Sequence, residues 1–172
     1  MEHVTQVTGS FFRMKFLAEV GDILGPARAP FGRSHQPGQK TLYLSGSPEG
    51  TVIASRIYMK PDDPPRAIFP LHVEGARILD LRNLDAARHY DIDPRLRTLN
   101  WQDYLNRGEH SPTWTISDRI RALGLDGMIY ASRSDPENTH HLTLFRWNEP
   151  DAPKVRQNGA PIPWPPENIP TT

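Results

Sequence analysis

Proline and glycine constrain this chain more than any other feature, because 18 prolines and 12 glycines are spread through its 172 residues. Proline fixes φ and removes a backbone donor, so regular elements must fit into the gaps that these residues leave. Gly25 to Gly38 is therefore an irregular loop, carrying Arg28, Arg33 and His35. Before it, Phe11 to Leu17 alternates loosely between apolar and basic residues, which predicts a first strand with Arg13 and Lys15 on one face. After it, Thr41 to Ser45 reads as a short strand. Ser47-Pro48-Glu49 then supplies an N-cap, an N1 proline and a first-turn acid, so a helix is predicted over Pro48 to Tyr58, with Val52, Ile53, Ile57 and Tyr58 as its apolar face. Pro61-Asp62-Asp63-Pro64-Pro65 ends it.

Further along, Ala76 to Leu81 is predicted as a strand, and Leu96 to Leu105 and Trp114 to Leu123 as helices, the second stopped by Gly124. Gly127 to Ala131 and Leu142 to Trp147 are predicted strands. Beyond Asn148, prolines at 150, 153, 161, 163, 165, 166 and 170 predict an extended tail without regular elements. The organisation is one domain over 1–148 and a proline-rich tail over 149–172, including the Trp164-Pro165-Pro166 segment, which is expected to dock on the protein's own surface.

Charge and composition then remove whole classes of function. Twenty basic residues balance twenty acidic ones, so no net field draws the chain to nucleic acid, and direct nucleic-acid binding is not expected. Cysteine is absent, which excludes disulfides, thiolate metal sites and a cysteine nucleophile. Met1 to Gly9 lacks the pattern of a signal peptide, and no apolar run approaches membrane-spanning length. The expectation is a soluble, cytoplasmic protein with no membrane partner.

The informative residues are Gly32-Arg33 with Gly38 behind, Tyr43-Leu44, Arg56, Leu79-Asp80-Leu81, Asp126-Gly127-Met128-Ile129-Tyr130-Ala131-Ser132 and Leu144-Phe145. In this order and spacing they resemble the RES family, named for its arginine, glutamate and serine, whose members are toxins of toxin–antitoxin pairs. The resemblance spans Phe11 to Trp147. It implies an α+β fold, a single domain with a central split β-sheet flanked by helices, like that of ADP-ribosyltransferase toxins. It also implies consumption of NAD by cleavage of the nicotinamide–ribose bond, through phosphorolysis, hydrolysis or ADP-ribosyl transfer. An Xre-type antitoxin with a helix-turn-helix is the implied partner.

Two departures accompany the resemblance. The family glutamate falls on Ala54, and the aromatic-asparagine pair that usually follows the arginine is Ser34-His35. Ala54 is either natural or introduced, and the enzyme reading then describes a form inactivated at that position.

The chemistry of the implied site is coherent. Arginine binds pyrophosphate oxygens in paired, charge-assisted hydrogen bonds, and Arg33 and Arg13 are the candidates. Tyr43 can stack on a ring or hydrogen-bond a ribose. Ser132 would orient the nicotinamide ribose or the acceptor. Cleavage builds positive charge on the ribose, which a carboxylate near the sugar would stabilise; Ala54 cannot.

Taken singly, each residue has a plainer explanation. A lone arginine in a glycine-proline loop is solvated, Tyr43 is a half-buried sheet residue, and Ser132 is a turn residue. Arg13 divides evenly between pocket and surface. Asp80 and Asp126 are read as turn formers, and Glu49 as a favourable first-turn charge. Adjacent His140 and His141 point to opposite faces of a strand, so no metal site is assigned to them. An alternative to the enzyme is a catalytically degenerate NAD-pocket protein that acts through a protein partner.

Overall fold

The computed structural model describes residues 2–165. Val4–Phe16 (β1), Leu42–Ser45 (β2), Arg66–Asp80 (β3), Gly127–Ala131 (β4), His140–Leu144 (β5), Lys154–Gln157 (β6) and Ile162–Trp164 (β7) form one hydrogen-bonded network. Its order is β1-β2-β5-β4-β3-β6, β7 also pairs β3, and β1 pairs β3 as well as β2. The ladder thus returns to its start, so the sheet is continuous and closed rather than split. The helices Pro48–Ser55 (α1), Leu84–His89 (α2), Trp101–Asn106 (α3) and Thr113–Ala122 (α4) flank it. The fold is a single mixed α+β domain built on its sheet.

Alternation along the strands separates two cores. Phe11, Leu42, Leu44, Phe69, Leu71, Val73, Ile129, Leu142 and Leu144 face inward as one buried cluster. Met128 and Phe145 face outward, where Ile116 and Ile120 of α4 and Ala86 and Ala87 of α2 cover them.

Several predicted boundaries move, each for a local reason. β3 starts at Arg66, ten residues before the expected strand, because its interruptions are accommodated in the ladder. Pro70 lies opposite Phe12. Gly75 takes a φ of +75° near the irregularity between Val7 and Gly9, a conformation suited to glycine. The helix expected over 96–105 is two pieces. A 3-10 turn at Pro94–Thr98 ends at Leu99, which is extended, and Asn100 caps a new helix by accepting from the Gln102 amide. The helix expected over 48–58 is α-helical to Ser55 and a 3-10 turn over Arg56–Tyr58, which leaves Ile57 and Tyr58 exposed rather than on a buried apolar face. Ser47 caps its start as expected, accepting from the Gly50 amide at 3.0 Å. Gly124, at φ +68°, closes α4 as expected, its amide bonding to the Arg121 carbonyl.

The expectation of a tail without regular structure is corrected. β6 pairs β3 at Leu71 to Glu74, and β7 pairs it at Arg66 to Ile68, with Trp164 opposite Arg66. Both strands lie on the edge of β3 away from β1, where proline is tolerated because its missing amide faces outward. Pro166 and Pro170 lie outside the described residues.

One contact is unusually intolerant. A Cβ at Gly127 would lie 2.1 Å from the Thr143 carbonyl oxygen, inside the β4–β5 ladder. Gly127→Ala should therefore cost about 2 kcal/mol or more, seen as a lower urea midpoint. Gly9→Ala, with nothing within 4 Å of its added methyl, should change stability by about 0.5 kcal/mol or less.

Candidate functional site

Strand register gathers the polar residues on the outer face. Tyr43 pairs with Thr143, and Thr143 with Met128, so these make one row across β2, β5 and β4. Ser45, His141 and Tyr130 make the next row. Between the rows, the Tyr130 hydroxyl and Thr143 Oγ1 are 3.1 Å apart, and within the second row Ser45 Oγ and His141 Nδ1 are 2.9 Å apart. Ser132 follows β4, is buried, and donates its amide to the Thr139 carbonyl at 2.8 Å.

The loop carrying Arg33 is fixed over these rows by Tyr43. The Ser34 amide donates to the Tyr43 hydroxyl at 3.0 Å, and His35 Nδ1 lies 2.9 Å from the same oxygen. His35 Nε2 lies 2.8 Å from the Ala29 carbonyl, which can only accept. Nε2 therefore carries the proton, Nδ1 accepts, and the Tyr43 hydroxyl donates to it. Burial lowers the pKa of His35 and favours the neutral ring this needs. Burial also raises the pKa of Tyr43, keeping its proton in place. Helix α4 holds the loop from the other side, since Trp114 Nε1 donates to the Gly32 carbonyl at 2.7 Å and Thr113 Oγ1 to the Arg33 carbonyl at 2.8 Å. Gly32 is needed here, because a Cβ would lie 2.4 Å from the His35 ring and 2.9 Å from the Tyr43 hydroxyl oxygen.

Arg33 reaches across to the 3-10 turn, where its Nη1 donates to the carbonyls of Arg97 and Leu99. Arg97 itself turns into the site. Its guanidinium carbon lies 3.3 Å from the centroid of the Tyr130 ring, and its Nη1 is 3.3 Å from Ser34 Oγ. The Arg33 pKa is lowered by burial and by the neighbouring charges of Arg97 and Arg133. Among the described residues, none of these three arginines has a carboxylate oxygen within 4.0 Å. The result is a cationic cluster set against the rings of Tyr43, Tyr130 and His141.

Helix α1 packs beside the Ser45 end of the rows. A Cβ at Gly50 would lie 3.1 Å from Ser45 Cβ and 3.2 Å from Thr139 Cγ2. Ala54 is one turn further along the same helix face, and there the face is exposed. A longer side chain at 54 has room without displacing anything buried.

Arg13 stands apart from the others. Phe12 pairs with Ser45, so Arg13 faces the inner side, where it pairs with Phe69. It is 8% exposed, and its Nη1 donates to the carbonyls of Ile23 and Gly25 at 2.6 and 2.7 Å. Burial lowers its pKa to about 10. The structure thus brings Arg33, Tyr43 and Ser132 to one face, with Ala54 on the helix beside it, and turns Arg13 away.

The other candidate carboxylates stand away from these arginines. Asp80 holds Arg82, Asp126 Oδ2 accepts from the Arg77 amide at 2.8 Å, and Glu49 is exposed. His140 and His141 do face oppositely, His140 toward Phe11 and His141 toward Tyr130. The residue that sequence reasoning missed is Arg97. Only its proximity to Pro94, as a second arginine beside the outward Arg95–Asp93 pair, set it apart in the sequence.

Comparison with known proteins places this geometry in a family. A model of the RES domain matches residues 11–167, and the chain belongs to the RES domain family. Among solved structures, a chain of the Mycobacterium tuberculosis MbcT–MbcA toxin–antitoxin complex superposes with a TM-score of 0.64 at 13% identity, covering 95% of this chain and 88% of that one. At that identity the likeness is one of fold. No curated protein matches the chain.

The buried histidine on this face gives a test. Burial, then Arg97, then His140, lower the pKa of His141 from 6.5 to about 4. The unfolded chain gains this proton near pH 6.5 and the folded chain only near pH 4, so stability falls as pH drops through that window. The whole shift corresponds to about 3 kcal/mol. His35 and His140 are shifted the same way. Unfolding titrations from pH 7 to pH 4.5 should show the loss, and His141→Gln should flatten the profile without abolishing its slope.

Proposed function

We propose that this protein is the toxin of a toxin–antitoxin pair whose site takes NAD and, when complete, cleaves the nicotinamide–ribose bond. The observation that carries the reading is the cluster of Arg33, Arg97 and Arg133 without a carboxylate partner among the described residues, over a wall of Tyr43, Tyr130 and His141. Arg33 and Arg97 are partly desolvated and Arg133 is exposed; guanidinium groups without a carboxylate favour an anionic ligand, and aromatic faces favour a planar base or pyridinium ring. A dinucleotide supplies both. The sheet-centred α+β fold and the likeness to a chain of a toxin–antitoxin complex agree with an ADP-ribosyltransferase-like toxin.

On this reading the loop of Arg33 borders the pyrophosphate end, the ring of Tyr43 borders the substrate, and Ser132 lies toward the nicotinamide ribose or the acceptor. The acceptor is phosphate, water or a protein side chain. The Tyr43 hydroxyl is occupied by Ser34 and His35, so its contribution is to hold the arginine loop in place. A carboxylate is needed beside the ribose as positive charge develops there. Position 54, on the open face of α1, is where it would stand. No metal is invoked. The partner in this reading is an Xre-type antitoxin that covers the site.

The alanine itself favours a second reading, a pocket that binds NAD or a partner without turnover. Ala54→Glu separates the two. Under the enzyme reading, the glutamate form releases nicotinamide from NAD at least about 10²-fold faster than the alanine form, and its expression arrests growth. Nicotinamide release would be followed by chromatography with water, phosphate or cell extract as acceptor. A folded glutamate form that binds NAD yet releases none with any of these would leave the binding reading in its place.

A further inference from the structure

Arg97 is the strangest charge in the molecule. It is only 9% exposed, yet it has no carboxylate within 4.0 Å among the described residues. The contacts of its guanidinium are weak: Ser34 Oγ at 3.3 Å, Met128 Sδ at 3.8 Å, and the face of Tyr130. Its bonds to Ser34 and Met128 both use Nη1, whereas a guanidinium carries five N–H donors in a planar fork. Of its Nε and Nη2, neither atom is both sealed from solvent and unpartnered. A buried cation left this way is costly unless a ligand completes it.

Arg33 is spent differently. One of its terminal nitrogens is bound to two main-chain carbonyls, one of them that of Arg97 itself. This clamps the 3-10 turn Pro94–Thr98 against the loop at the point where Arg97 leaves the backbone. Arg95, two residues earlier, points outward to Asp93, so the turn offers only one arginine to the site.

We infer that Arg97 is the principal anion-binding group of this site, and that Arg33 acts largely as a positioning residue by holding the Arg97 and Leu99 carbonyls. The ligand it takes is a phosphate or pyrophosphate group. This deepens the NAD reading and rests on it for the identity of the full ligand, but the anion contact can be tested without NAD. Arg97 presents the free edge of its fork to two oxygens of one anion while its flat face stays on Tyr130. Arg33 and Arg133 add field around it.

The test uses the full chain and calorimetry with three probes: inorganic pyrophosphate, ADP-ribose and NAD. Arg97→Met should abolish measurable pyrophosphate binding. Arg97→Lys, which keeps the charge but loses the fork, should weaken it about tenfold. Thermal unfolding identifies any variant that has failed to fold, and the lysine variant then carries the test. Arg33→Met should weaken pyrophosphate as well. Because Arg33 acts through Arg97, Arg33→Met/Arg97→Lys should bind no worse than Arg97→Lys alone. Undiminished pyrophosphate binding by folded Arg97→Met, independent additive losses, or no pyrophosphate binding by the parent chain would each overturn the inference. Arg97-dependent pyrophosphate binding without any affinity for ADP-ribose or NAD would sustain it and sink the NAD reading instead.

Discussion

Everything in this structure depends on the pairing of β1 with β3. That ladder runs from Val4–Leu79 to Phe16–Arg66 and closes the sheet on itself. Closure gives the strands an inside, where Phe69, Leu71, Leu42 and Leu142 are fully buried. The apolar requirement of the fold is largely met there and under α4. The outer face of β2, β5 and β4 is then free to carry Tyr43, Thr143, His141, Ser45 and Tyr130 without loss of core. A flat sheet of the same strands would have left β1 and β3 as bare edges.

The polar face is organised by hydrogen bonds whose direction is set. The Ala29 carbonyl can only accept, so His35 must donate to it from Nε2, and Tyr43 must donate to Nδ1. The Ser34 amide fills the remaining role at the hydroxyl. Loop and sheet are thereby one unit, and Trp114 extends it to α4 through the Gly32 carbonyl. The short tract from Gly32 to His35 is thus held by side chains from β2, α4 and itself, which fixes where Arg33 can reach.

Much of this was legible before any coordinates. The cap at Ser47, the stop at Gly124 and the short strands at 42–45 and 127–131 follow from local chemistry, which acts over a few residues. What local chemistry could not show was pairing. Pro70 and Gly75 look like breakers in isolation but sit harmlessly in the long β3, and Pro163 lies in an edge strand because β3 offers it a partner. Arg13 and Arg33 are equally basic in the sequence. Only the register of Phe12 with Ser45 sends the first inward. Arg97 escaped notice because its surroundings come from residues more than thirty positions away, Ser34 and Met128 among them.

Ala54 lies on an exposed stretch of α1, while the residues that anchor that helix are Gly50 and Thr51 at its buried end. Anchoring and exposure are separated by a single turn. A change of side chain at 54 consequently leaves the packing of the helix intact, whether the residue is charged or not. Selection on this position is uncoupled from selection on foldedness, so the side chain here can be exchanged in one step while the rest of the surface stays as it was.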